Sequence, residues 1–103
     1  MTNNLADEFN KAMFSLYQQT KTQTSYNPKT FHNMLIEHGG VKTAQILLGK
    51  AQPSEGYTTL YELHRLDLTI EAFIWDNPKF HELFSPDELN IAKKRLIDYC
   101  YIN

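Results

Sequence analysis

Three charges of opposite sign are lodged at the front of the most apolar run in the chain, Arg65-Leu66-Asp67-Leu68-Thr69-Ile70-Glu71-Ala72-Phe73-Ile74-Trp75. Asp67 and Glu71 are four residues apart, so on a helix they share one face. Two carboxylates placed like that can do acid–base chemistry if one pKa is raised. The same residues also have a purely structural use. Arg65 would fork onto Asp67 or Glu71, and Asp67 would cap the helix that follows. We prefer the structural use, because ion-pair networks that only hold a fold perturb pKa values too. On that reading Arg65, Asp67 and Glu71 form a clamp beside a helix buried nearly all round. Loss of Arg65 would then leave partly buried acids unpaired, at a cost of about 3–5 kcal/mol.

The other reactive side chains form no constellation. His32 and His38 are six apart and point to different sides of one helix, while His64 and His81 lie elsewhere. None pairs with a cysteine at a metal-ligand spacing, so the sequence assigns no metal and no cofactor. The single cysteine, Cys100, has no base beside it and is expected to be a small core or boundary residue at a helix end. His64-Arg65-Leu66-Asp67 has the wrong spacing for a kinase catalytic loop, and no glycine-rich phosphate loop precedes it. Gly39-Gly40-Val41-Lys42-Thr43 is explained as a turn. No catalytic residue is assigned, and the chain is read as a non-enzyme.

What remains is surface. Six Phe, six Tyr and one Trp are many for 103 residues, and exposed aromatics are typical of protein interfaces. Phe14 lies off the main stripe of the first helix. Phe14, Tyr17, Lys93, Lys94 and Tyr101 are therefore the expected interaction surface, on the first and last helices. The expected function is a protein-interaction or regulatory module with a protein partner, a second copy of the chain being one such partner. The competing reading is a nucleic-acid-associated regulator of bacterial or phage origin, carried by the basic cluster Lys93-Lys94-Arg95. A net charge of −2 disfavours it.

The elements that must position these residues read as helices throughout. Leu5, Phe9, Met13, Leu16 and Tyr17 follow a 3.6-residue period and predict a helix over 4–20. Residues 20–27 read as a polar connection. Asn27 as cap and Pro28 at the first position open a helix over 28–38. Gly39 suits its left-handed end, and Gly40 permits a sharp turn. Further helices are predicted over 41–48, 57–64, 68–76 and 86–99. In the fourth, Leu60, Leu63 and His64 are expected to face inward. Ser85-Pro86-Asp87-Glu88 carries a capping box for the last. There is no period-two stretch and no hairpin signal. The expected fold class is all-α, a compact single-domain bundle of five or six short helices spanning 1–103. One cysteine, no signal-peptide pattern and no long apolar run lead to the expectation of a soluble cytoplasmic protein that does not enter a membrane.

The succession His38-Gly39-Gly40-Val41, then Arg65-Leu66-Asp67-Leu68-Thr69-Ile70-Glu71-Ala72, then Leu83-Phe84-Ser85 with Glu88 resembles a family of small uncharacterised bacterial proteins. Their pattern is a Gly-Gly turn, a Gly-Arg-Leu-Asp-Leu-Thr-Val-Glu-Ala core and a Leu-Phe-Thr helix start. The resemblance spans roughly residues 26–99. It implies a shared fold and brings no chemistry with it. The chain departs from the pattern at His64, where the family has glycine. A glycine there would fit the residue just past a helix end.

Overall fold

The computed structural model describes residues 4–103. Within them the chain forms six α-helices: α1 (Leu5–Gln23), α2 (Lys29–His38), α3 (Gly40–Leu48), α4 (Glu55–Glu62), α5 (Ile70–Asp76) and α6 (Pro86–Asp98). Two 3-10 turns, Leu66–Leu68 and Pro78–Leu83, flank α5. The all-α class holds, and the described residues contain no strand.

α1 begins where Asn4 accepts the Asp7 N–H at 2.8 Å. It runs three residues beyond the expected end, because its threonines stay helical. Thr20 and Thr22 donate their hydroxyls back to the carbonyls of Leu16 and Gln18, at 3.0 and 2.8 Å. A hydroxyl satisfied within the helix no longer competes with it. α2 starts one residue later than expected, with buried Pro28 rather than Asn27 in the cap position and no side-chain cap bond.

The Gly-Gly pair does something different from a two-residue turn. Gly39 alone makes the reversal, at φ +80°, and serves as the end of α2 and the start of α3. Gly40 is already helical and buried. A Cβ on it would lie 2.8 Å from the Asn10 Cα. Its missing side chain therefore lets α3 press against α1, with Ala44 fully buried nearby. Asn10 Oδ1 accepts the otherwise free Gly40 N–H at 2.7 Å.

α4 starts earlier than expected, because Ser54 caps it by accepting the Tyr57 N–H at 3.1 Å. It ends earlier too. His64 has φ 60°, the Arg65 N–H reaches the Leu60 carbonyl at 2.8 Å and the His64 N–H reaches Tyr61. This left-handed closure turns Leu63 and His64 outward, contrary to the expected inward face. The same closure ends α6, with Cys100 at φ 65° and the Tyr101 N–H on the Leu96 carbonyl at 2.8 Å. Cys100 is exposed there, not in the core.

The core has two parts. Phe9 is fully buried at the centre of the larger one, with Phe80 and Phe84 edge-on at 5.3 Å and Phe73 at 6.0 Å. The smaller joins Tyr57, Leu66, Ala72 and Leu96, with Trp75 and Tyr99 at its margin. Much of the aromatic surplus is consumed inside.

Candidate functional site

The three charges at the front of the apolar run separate. Arg65 does fork onto Asp67, Nε to Oδ1 at 3.0 Å and Nη2 to Oδ2 at 3.1 Å, and a third bond reaches Gln23 Oε1 at 2.7 Å. This group is on the surface, with Asp67 half exposed. Glu71 takes no part in it. Nor does Asp67 cap the helix. The 3-10 turn at 66–68 intervenes, and Thr69 is the cap, accepting the Ala72 N–H at 3.2 Å while donating to the Leu66 carbonyl at 2.7 Å.

Glu71 is buried against Arg95 instead, with Nη1 at 3.0 Å from Oε2. Arg95 is buried as well, and its remaining Nη donors are spent on backbone. Nη1 also donates to the Leu47 carbonyl at 3.1 Å, and Nη2 to those of Lys50 and Gln52 at 2.7 and 3.3 Å. One guanidinium thus ties α6 to α5, to the carbonyl end of α3 and to the loop beyond it. A cation suits that end of a helix. The Tyr57 hydroxyl donates to the Arg95 carbonyl at 2.9 Å, adding α4. Burial pushes the Glu71 carboxyl above the usual carboxylate range, against the lowering influence of its own backbone N–H and of Arg95. Burial and the nearby Glu71 charge push the Tyr57 hydroxyl up likewise.

Glu71 also lines a cavity of about 290 Å³ between α1, α2, the end of α3, α4 and the start of α5. Leu16, Leu60, Leu68 and Glu71 are its buried floor, and exposed Thr30, Lys50 and Glu55 stand at its mouth. Tyr26 and Phe31 supply aromatic wall, and Met34 a flexible one.

The five residues expected to form one interaction surface lie in two places. Tyr17 is buried and stacks on His32, at 4.1 Å with the rings 6° from parallel, and Phe14 meets the edge of the same imidazole at 6.2 Å. This pair is a packing arrangement between α1 and α2. Lys93 lies over the Trp75 ring at 5.7 Å, and Lys94 pairs with Asp98 at 2.9 Å. The Tyr101 hydroxyl donates to Asp76 at 2.6 Å, and burial together with that carboxylate pushes it up to about 12. Burial of Arg95 takes the third member out of the basic cluster.

Sequence reasoning missed Arg95. The signal was there: Ala92, Arg95, Leu96 and Tyr99 fall at i, i+3, i+4 and i+7, one apolar stripe with a cation set into it. It also missed the apolar side chains that remain outside. Tyr61 is 46% exposed and stands edge-on to Tyr99 at 4.9 Å, and Leu63, 37% exposed, follows it in the turn. Ile36 and Ile97 are exposed on α2 and α6.

No helix of the described residues is long and apolar enough to cross a membrane. No family model, curated protein or solved structure matches this chain.

Proposed function

We propose that the protein is a non-enzymatic interaction or regulatory module that engages a protein partner through a helical surface. The surface is the flank where the end of α4 meets the last turn of α6. The observation that carries this is Tyr61, nearly half exposed, held edge-on by Tyr99 with Leu63 beside it. An aromatic ring fixed by a second ring loses little entropy on binding, and rigid tyrosines are favoured anchors in protein interfaces. The titratable groups support the same reading. Arg65, Asp67, Glu71 and Arg95 are each engaged in bonds that hold the fold. The basic cluster supports nucleic-acid binding weakly, with Arg95 inside and Lys94 occupied by Asp98.

A photo-crosslinking side chain at position 61, compared with one at exposed position 42 on α3, tests the proposal in the native host. A defined partner captured from position 61, and lost when Leu63→Glu is added to the folded protein, is the expected result. Equal capture from both positions refutes the assignment. Light scattering on the purified protein tells whether the partner is a second copy. A gel shift at about 50 mM salt, where phosphate contacts are strongest, tests the nucleic-acid reading.

A further inference from the structure

We infer that the cavity bounded by Tyr26, Phe31, Met34, Leu60 and Glu71 is a binding site for an uncharged two-ring aromatic molecule bearing one hydrogen-bonding substituent. This stands apart from the partner-binding flank, which lies on the outer side of α4.

Size sets the ring count. Apolar cavities of about 150 Å³ take up a single benzene ring; this one is about 290 Å³. Wall chemistry sets the aromatic character: Tyr26 and Phe31 offer rings, and Met34 a thioether that adapts to an aromatic edge.

Charge is disfavoured at the floor by what the buried ionic groups already do. The four Nη–H groups of Arg95 are taken by a carboxylate and three carbonyls, and Arg95 is not part of the cavity lining. Glu71 is held by Arg95. At the mouth, Lys50 and Glu55 oppose each other in sign. At the buried floor a charged ligand would lose its water and meet no unpaired counter-ion, while Lys50 and Glu55 stay solvated at the exposed mouth.

The single polar substituent follows from the hydroxyls. Within the wall, those of Thr20, Thr69 and Tyr57 donate to the carbonyls of Leu16, Leu66 and Arg95, and that of Ser54 caps α4, while Thr30 is exposed at the mouth. The Tyr26 hydroxyl has no hydrogen-bond partner among the described residues. It reaches over Gly56, where a Cβ would lie 2.9 Å from its oxygen. Glycine inside a helix is unfavourable by about 0.5–1 kcal/mol relative to alanine. At this position it leaves the space the Tyr26 hydroxyl occupies in the cavity wall.

The test is an amide-shift titration by NMR with 2-naphthol, and with naphthalene-2-sulfonate as its charged counterpart. Saturable shifts around Tyr26, Gly56 and Leu60 with 2-naphthol, and none with the sulfonate, are expected. Tyr26→Phe should weaken binding about five-fold, the loss of one hydrogen bond. Met34→Trp, which fills the cavity, should abolish it. If that variant does not fold, Gly56→Ala displaces the Tyr26 hydroxyl in its place and should weaken binding. The site is refuted by the absence of saturable shifts at millimolar 2-naphthol, or by binding that survives in the folded filled variant. Equal binding of the sulfonate overturns the uncharged class, and unchanged affinity in Tyr26→Phe overturns the role of the hydroxyl.

Discussion

Arg95→Met is the sharpest perturbation this fold allows. The substitution keeps an unbranched side chain of similar length and deletes only the guanidinium. Three backbone carbonyls and one carboxylate lose their donor. Lys50 and Gln52 are exposed residues whose carbonyls can turn to water, so the cost concentrates on Leu47 and Glu71. Glu71 is only 2% exposed and has no other cation to turn to among its bonds. It can escape by taking up a proton. Against an unfolded carboxyl of pKa near 4.3, neutralising it at pH 7 costs about 3.7 kcal/mol at 1.36 kcal/mol per unit, a ceiling on the added loss because burial already raises the Glu71 pKa in the wild type. The unpaired Leu47 carbonyl adds to this, which places the loss within the range of about 3–5 kcal/mol known for broken buried pairs. Urea unfolding followed by far-ultraviolet circular dichroism measures it. Lys94→Ala, which breaks the exposed pair with Asp98, is the control and should change stability by no more than about 0.5 kcal/mol.

The pH dependence identifies the cause. Glu71 has a raised pKa in the folded protein because it is buried. A folded state that binds more protons than the unfolded one loses stability as pH rises. Removing Arg95 removes a lowering influence and so enlarges this effect. The gap between wild type and Arg95→Met should therefore narrow from pH 7 toward pH 5, by up to about 1.4 kcal/mol per unit. Adding Glu71→Gln should abolish the narrowing. A loss below about 1 kcal/mol, or one independent of pH, would refute the claim that a buried carboxylate depends on Arg95.

Three further substitutions probe the rest of the fold. The Thr43 hydroxyl is buried without a hydrogen-bond partner, so Thr43→Val should gain about 1 kcal/mol, read as a higher urea midpoint; a loss would mean the hydroxyl is satisfied. His64→Gly relieves a left-handed residue at the end of α4. The strain removed exceeds the added chain entropy by about 0.5 kcal/mol, so the thermal midpoint should rise, and a fall would mean that the His64 side chain contributes bonds of its own. Arg65→Ala opens a surface pair whose members are about one-third and one-half exposed, and should leave the urea midpoint close to that of the wild type. A fall in the midpoint as large as that of Arg95→Met would restore the clamp reading based on the sequence.

Local signals proved legible and long-range partners did not. The capping box at Ser85 and Glu88 is realised on both sides, at 2.9 and 3.1 Å, because each of its bonds closes within three residues. The buried face of α1 followed from periodicity alone. The left-handed residue that closes α4 is His64, at φ 60°, and a residue other than glycine gives little local sign of such a position. Glu71 was read beside its near neighbours, yet its partner lies 24 residues away on another helix. Spacing says which face a charge is on. It does not say what arrives opposite that face. The expected aromatic surface is split for a related reason. Phe14 looked surplus, and Tyr17 was counted as surface although it lies on the periodic stripe; His32 packs against both. Tyr61 lies inside α4 beside buried Leu60 but off the buried stripe of Tyr57 and Leu60, and so was left outside.

The buried pair and the cavity share a wall, and this bears on why an ion pair stands there at all. Apolar replacements of buried pairs are often as stable as the originals, so depth of folding is a weak reason for Glu71 and Arg95. Their geometry does something an apolar pair cannot. Arg95 grips the carbonyls of Leu47, Lys50 and Gln52, and Leu47 and Lys50 are part of the cavity lining. A leucine facing a methionine has no directional hold on that loop. Arg95→Met combined with Glu71→Leu should therefore recover most of the stability lost in Arg95→Met alone, while its affinity for 2-naphthol stays below that of the wild type. Unfolding curves and the same amide titration measure the two quantities separately. Full recovery of both would show that the pair does not shape the cavity. Recovery of neither would show that it is needed for the core itself.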